Sequence, residues 1–317
     1  MRVASAGGGV LAACFSAFFC VGCGPNFYGS EMIEQEALTA GLGVLRQPVL
    51  PLVGIVQFLY LTGDFATVAE VIAQLPEDIE TGYTVYRDAA ADLAPYLDLL
   101  QPLVDLKAGR PPQERVIAPD GQPMDAMTAT TALISQRILT RELERINSLL
   151  CAPCGCTLCC VGPEAGMAQR YFEIPLQAEE VGLFALARIE TEAPRACRVD
   201  DEPPLQVNGR DFFDRTDPVL IRWQPGWSLI LSTASRCPHL ELSGRCRVYP
   251  DRPQVCRRPQ IFPYVVEPVA AQGQPAFRLR QTLLAVVDCP YVRRLQEEIG
   301  AYAAACELEM VFRHNKG

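Results

Sequence analysis

From Glu31 to Leu150 apolar residues recur at three- and four-residue spacing, the pattern of helices packed on one face. Asp64 is placed to cap a helix reaching Leu75, with Phe65, Val68, Ala69, Ile72 and Leu75 on one side and Pro76 ending it. Helical spacing continues from Thr84 to Leu106, interrupted at Pro95 and Pro102. Residues 108–123 are rich in Pro and Gly and predict a loop. Asp125 then caps a long helix to Leu150, in which Leu133, Ile134, Ile138, Leu143, Ile146 and Leu150 recur near the helical period. These are core faces, and the charges near Arg141 and Glu144 are a solvated face.

From Cys151 the texture changes. Prolines and arginines rise and short strand-like runs replace helical periodicity. Val219 to Trp223 and Trp227 to Ser232, parted by Gln224-Pro225-Gly226, predict a hairpin. Phe262 to Val266 and Phe277 to Val287 are further strands. Leu176 to Ile189 reads as a short amphipathic helix, residues 198–217 as a polar surface insertion, and Leu295 to Phe312 as a closing helix. The expected fold class is α+β: a helical region, 31–150, then a cysteine-rich domain, 151–290, then a C-terminal helix and tail, 291–317.

The amino terminus is a separate matter. Val10 to Val21 is an apolar run of signal-peptide length. Val21-Gly22-Cys23 resembles the end of a bacterial lipoprotein leader, which makes residues 1–22 a candidate signal peptide and 23–30 a tether. Cys23 would then carry lipid and hold the chain to a membrane surface in the cell envelope; without a signal the location is cytoplasmic. No apolar run reaches the ~20 residues of a spanning helix.

Composition narrows the function. Hydrophobic residues are 49% and charged residues 21% of the 317, which excludes disorder over most of the chain. The net charge of −9 argues against general nucleic-acid binding. Two histidines, His239 and His314, give little to histidine-based catalysis.

Fourteen cysteines change the picture most. Three precede residue 24, and none falls between Cys23 and Cys151. Cys151, Cys154, Cys156, Cys159 and Cys160 then crowd into ten residues, and Cys237, Cys246 and Cys256 follow. Clustering suits metal ligation better than a disulfide framework, although export would permit disulfides. Pro153 and Gly155 are turn formers within the first cluster, and Pro250 and Pro253 within the second. Together they offer eight thiols, enough for one four-thiolate site with spares or for two sites. Residues 236–259 carry six arginines (236, 245, 247, 252, 257, 258) against Glu241 and Asp251, a local excess suited to anionic metal thiolates or to an anionic substrate. Cys151-Ala-Pro-Cys154 also has the spacing of a thioredoxin-like redox pair, but lacks the strand before it. His239 reads as a hydrogen-bonded structural histidine, and Cys197 and Cys306 as packing cysteines.

The second cluster resembles the YkgJ-type cysteine-cluster family, also described as the CxxCxxCC zinc- or iron-chelating domain. The resemblance is carried by Cys237-Pro238-His239-Leu240, then Gly244, Cys246, Val248, Tyr249, Arg252, Pro253, Cys256 and Arg257. Gly226-Trp227-Ser228-Leu229 fits the family's strand, Leu176 to Val181 its short acidic helix, and Asp288-Cys289-Pro290 its late cysteine. The family's usual C-x2-C-x2-C-C is interrupted here, since Cys156 is an additional thiol and two residues are inserted. Whether Cys154 or Cys156 is a ligand stays open.

The resemblance implies an iron–sulfur cluster or zinc. The candidate ligands are Cys151, Cys154, Cys159, Cys160, Cys237, Cys246 and Cys256, with Cys156 and Cys289 in reserve. One alternative is an enzyme resembling protein-lysine methyltransferases that carry such a domain, acting on a protein substrate with Arg252 and Arg257 lining the pocket. The other is an exported, disulfide-stapled lipoprotein without metal.

Overall fold

The computed structural model describes residues 38–164, 167, 169–258, 260–269 and 275–313. The leader, the tether, Cys14, Cys20, Cys23 and His314 lie outside the described residues. Helices and sheets are mixed, and the helical region precedes the cysteine-rich one, so the fold is α+β. The chain divides into two compact units.

One unit joins residues 33–153 to 260–313. Its helices Leu50–Thr62, Val68–Ala73, Ala89–Leu93 and Gln101–Lys107 pack around Ile134 and Ile138 of the long helix Ala126–Cys154. Asp125 caps that helix, its carboxylate accepting from Thr128 N–H at 3.0 Å. Lys107 closes the first of the four by donating to the carbonyls of Tyr60, Gly63 and Phe65 at 2.8, 3.0 and 3.0 Å. The sheet of this unit runs Ile261–Val269, Ala276–Val286, Glu309–Arg313, with Arg115–Ile117 paired parallel to the start of the middle strand. The long helix docks on it through Gln136. The Gln136 carbonyl oxygen accepts from Val265 and Val266 N–H at 2.8 and 3.1 Å, where the ladder slips register, and its amide nitrogen donates to Pro263 O at 2.9 Å.

The other unit contains residues 154–259. Its four-stranded sheet runs Tyr171–Leu176, Trp227–Ser232, Val219–Arg222, Arg188–Ile189. The Val219–Arg222 and Trp227–Ser232 strands are the hairpin read from the sequence. They are apolar on consecutive positions because both faces are covered. Ile230, Val219 and Ile221 face a cluster with Phe212 and Trp223. Leu229, Leu231 and Leu220 face the opposite way, against Ile174, Val181 and Phe184, and Cys237 and Cys256 pack on that side. The sheet therefore supplies the floor beneath two of the cysteines.

Five expectations are corrected. Thr67, not Asp64, caps the helix Val68–Ala73, which ends before Leu75. The 108–123 loop contains the strand Arg115–Ile117, which finds an open edge on a distant strand, a partner local composition does not reveal. Residues 176–189 form a strand end, a 3-10 turn Ala178–Leu183 and the strand Arg188–Ile189, since Gly182 falls where a helix would have to continue. The closing helix Gln296–Ala305 stops when Glu307 adopts φ +57°, and Glu309–Arg313 leaves as a strand. Thr39–Thr62 is long and apolar enough, by length and composition, to cross a membrane. Its Leu42, Leu45, Leu52, Val53, Val56 and Tyr60 are buried in the unit's core.

Candidate metal centre

The first cysteine segment begins as the long helix ends. Pro153 lies in its last turn, and Gly155 follows Cys154 at φ +61°, a left-handed conformation that favours glycine. That reversal brings the thiols of Cys154 and Cys156 within hydrogen-bond reach. The hydrogen bond to Cys154, and then burial, push the Cys156 thiol far above its ordinary value, while the Leu158 N–H works against them. A 3-10 turn, Leu158–Cys160, closed by Cys160 N–H to Thr157 O at 2.7 Å, carries the Cys159-Cys160 pair.

The two cysteine segments are then laced together. Cys237 N–H donates to Cys160 O at 2.8 Å, Val161 bridges Arg236, and Gly162 N–H donates to Ser235 O at 2.8 Å. Gly162 is required sterically: a Cβ there would lie 1.9 Å from the carbonyl oxygen of Ser232.

The second segment is a tight reversal. Arg247 N–H donates to His239 O, Glu241 N–H to Arg245 O, and Gly244 turns at φ +81°. Leu240 and Cys246 are bridge partners, so Cys237 and Cys246 become neighbours. Burial raises the Cys237 thiol; the N–H groups of His239 and Leu240 aim at its sulfur and lower it, while the charge of Cys246 raises it. Peptide amides aimed at sulfur stabilise a thiolate. Cys256 sits on the short helix Gln254–Arg257. Burial pushes its thiol well up, and the charges of Cys160, Cys159 and Cys237 push it further; Arg252 opposes them.

Five thiols are thus in one electrostatic neighbourhood: Cys159, Cys160, Cys237, Cys246 and Cys256. Each thiolate makes the next harder to ionise in a buried place, so several can be anionic together only beside a positive charge. A soft cation would supply that charge, and a group of five thiols, with backbone amides aimed at Cys237, suits one. Among the described residues, no three His, Cys, Asp or Glu side chains are drawn together closely enough to hold an ion. The sulfurs are neighbours, not a closed cage.

Arg252 is 6% exposed. Its guanidinium lies 3.7 Å from the ring centre of Tyr249, and its Nε–H donates to Tyr249 O at 3.1 Å. Arg257 lies in the last turn of the short helix, half-buried. His239 is structural in geometry: its Nε2 is 2.9 Å from Leu183 O, and its ring packs against Phe184. Cys151 and Cys289 fall in the other unit, the latter at the start of the helix Pro290–Arg294. Among the described residues no cysteine is in a disulfide.

Sequence reasoning missed two supporting residues. Glu180 accepts from Gln177 N–H at 2.8 Å and, with its other oxygen, from Gln254 N–H at 2.6 Å, tying the helix of Cys256 to the sheet. The acidic pair Glu179-Glu180 was its only signal. Gly162, two residues after Cys160, was the other, and its position beside the cysteine pair was the available clue.

Residues 150–306 match the family model CxxCxxCC, described as "Putative zinc- or iron-chelating domain". No curated protein and no solved structure matched the chain.

Proposed function

With residues 150–306 belonging to the CxxCxxCC family, we propose that the chain chelates a thiophilic metal, zinc or iron, through four thiolates drawn from Cys159, Cys160, Cys237, Cys246 and Cys256. One observation carries the reading: Cys159, Cys160 and Cys237, from two segments far apart in sequence, all bear on the buried thiol of Cys256. Zinc in such a site stabilises the fold; an iron–sulfur cluster adds one-electron chemistry. This chain's own residues hold the donors in place. Cys160 and Cys237 are fixed by their shared backbone hydrogen bond, and the His239 and Leu240 amides favour ionised Cys237. Arg252 supplies a fixed positive charge beside Cys256, with Tyr249 covering its face.

The test is purification of the full chain without oxygen, followed by metal, acid-labile sulfide and absorption measurements. Zinc with no sulfide, or iron with matching sulfide, supports the proposal and names the metal. Substoichiometric metal in the anaerobic protein, unimproved by reconstitution with either metal, overturns it. Cys256→Ser is expected to remove most of the metal, because it deletes the thiol on which three others bear.

A further inference from the structure

We propose that the polar insertion 198–217 builds a binding site for a short unblocked peptide, in which Arg210 and Arg215 take the terminal carboxylate and Asp217 the terminal ammonium. The site is separate from the metal reading. Val207 and Phe213, which line it, pack on the sheet face that carries Phe212 and Trp223, whereas Cys237 and Cys256 pack on the opposite face.

The sequence predicts a surface insertion here, and the structure shows that its base is pinned. Gln206–Val207 and Arg210–Asp211 pair as a hairpin, turned by Asn208 at φ +55° and Gly209 at φ +77°, the left-handed pair that a two-residue hairpin loop requires. Phe212 packs edge-on against Trp223 and Tyr171, with ring centres at 5.0 and 4.8 Å, and Phe213 stacks on Tyr171 at 5.4 Å. Arg170 precedes the strand Tyr171–Leu176; its guanidinium lies 4.8 Å from the ring centre of Phe213 and pairs with Asp214 at 2.8 Å. Thr233 follows the strand Trp227–Ser232 and donates its hydroxyl to Arg170 O at 3.3 Å. The hairpin, the segment after it and these two strand ends enclose a cavity of about 760 Å³, a volume suited to a small molecule and far larger than a single ion needs.

The charges of the cavity select the ligand. Among the described residues three arginines (170, 210, 215) and three aspartates (211, 214, 217) line it. Arg170 and Asp214 answer each other, and Asp211 accepts from the Gln206 amide. Arg210, Arg215 and Asp217 enter no ion pair among the described residues, and the buried Nε–H of Arg215 has no acceptor. Charge of both signs is therefore left without a partner. A purely anionic ligand would meet Asp211 and Asp217, and a purely cationic one would meet Arg210 and Arg215; a ligand carrying both signs avoids either repulsion. A guanidinium takes a carboxylate through two parallel N–H bonds, and a carboxylate takes an ammonium, which are the two ends of a peptide. Asn208, Thr216 and Thr233 offer amide and hydroxyl groups to the peptide bonds between those ends, so a polar backbone suits the lining better than an apolar body.

The full chain, purified without oxygen, is mixed with a random tripeptide pool at millimolar concentration, and bound peptide is read by native mass spectrometry. The same pool is offered N-acetylated and, separately, C-amidated. The expected result is one unblocked peptide per chain, with binding weakened by about tenfold or more when either end is blocked. Asp217→Asn should bind the unblocked and N-acetylated pools alike, and Arg215→Ala the unblocked and C-amidated pools alike, both with the metal content of the wild type. Equal binding of the N-acetylated pool to the wild-type chain would make the cavity an anion site, and equal binding of the C-amidated pool a cation site; either overturns the proposal. So does the absence of any bound peptide, which would leave a solvated cleft. These comparisons are made on the wild-type chain and do not depend on how either variant folds.

Discussion

Gly162 shows how much a single missing methyl group decides. The chain passes so close to Ser232 that a Cβ would overlap its carbonyl oxygen, and this approach is what lets residues 160–163 pair with 234–237. Neither backbone segment can yield without breaking that pairing. Gly162→Ala is therefore expected to cost at least about 2 kcal/mol in denaturant unfolding, as overpacking does, and to lower metal content as well. Glu142 makes a different kind of demand. It is 1% exposed on the long helix, accepting from Val49 N–H at 2.9 Å and from the Tyr302 hydroxyl at 2.6 Å. Burial raises its carboxyl from 4.5 to about 7, against the pull of those two hydrogen bonds. Between those values the native state keeps a proton that the unfolded chain releases. Stability from this group is thus fully present below pH 4.5, falls as pH rises, and is gone above about 7. The difference is on the order of 3 kcal/mol. Glu142→Gln, which stays neutral and keeps an acceptor for Val49, should flatten that slope in thermal melts between pH 5 and 8. A slope unchanged from the wild type would mean Glu142 is not its source.

At the level of elements, legibility followed the range of the interactions that decide each one. The Val219–Ser232 hairpin was readable because its turn residues and apolar runs are adjacent in sequence. The long helix was readable because Asp125 and the period of its apolar residues are local. The strand Arg115–Ile117 was not, because its partner lies some 160 residues on at Ala276–Arg278. Nor was the 3-10 turn Ala178–Leu183, whose role is to present Glu180. Of the site, the cysteines themselves were legible by type and spacing; the pairing of their two segments was not, because it depends on the backbone ladder between residues 160–163 and 234–237. Glu180 gives the element-scale prediction. Its carboxylate holds Gln254 N–H at the start of the four-residue helix that carries Cys256, a helix too short to hold its own orientation. Hydrogen bonds to a charged group contribute about 2 kcal/mol. Glu180→Ala should therefore weaken metal retention against a chelator more than it lowers the melting temperature, while Glu180→Gln, with one acceptor left, should recover part of it. Equal loss in both variants would assign Glu180 to charge instead of position.

For the molecule as a whole, the two units differ in what can hold them together. Residues 33–153 and 260–313 have a continuous apolar core, with Leu52, Val56, Leu93, Leu100, Leu103 and Ile138 fully buried, and a sheet with eight paired positions between its two longest strands. Residues 154–259 have two small clusters on either side of a four-stranded sheet, and among the described residues the stretch from Arg236 to Arg258 contributes only a four-residue helix and two isolated bridges. Bound zinc in a small thiolate site contributes on the order of 10 kcal/mol, comparable with the whole net stability of a domain. Cys237 and Cys256 pack against the sheet on the same side as Leu229 and Leu231, so metal held there would anchor the loops directly to the apolar floor. The consequence can be read residue by residue. On removal of metal under reducing conditions, amide hydrogen exchange should accelerate in 156–162 and 235–257, where the backbone ladder depends on the thiols staying together. It should remain slow in 129–147 of the long helix, whose Ile134, Ile138, Leu143 and Ile146 are buried and whose Ile134 and Ile138 pack in the apolar core. Faster exchange in both regions to the same extent would show that metal stabilises the chain globally, and slow exchange in both would show that the cysteine loops hold their shape without it.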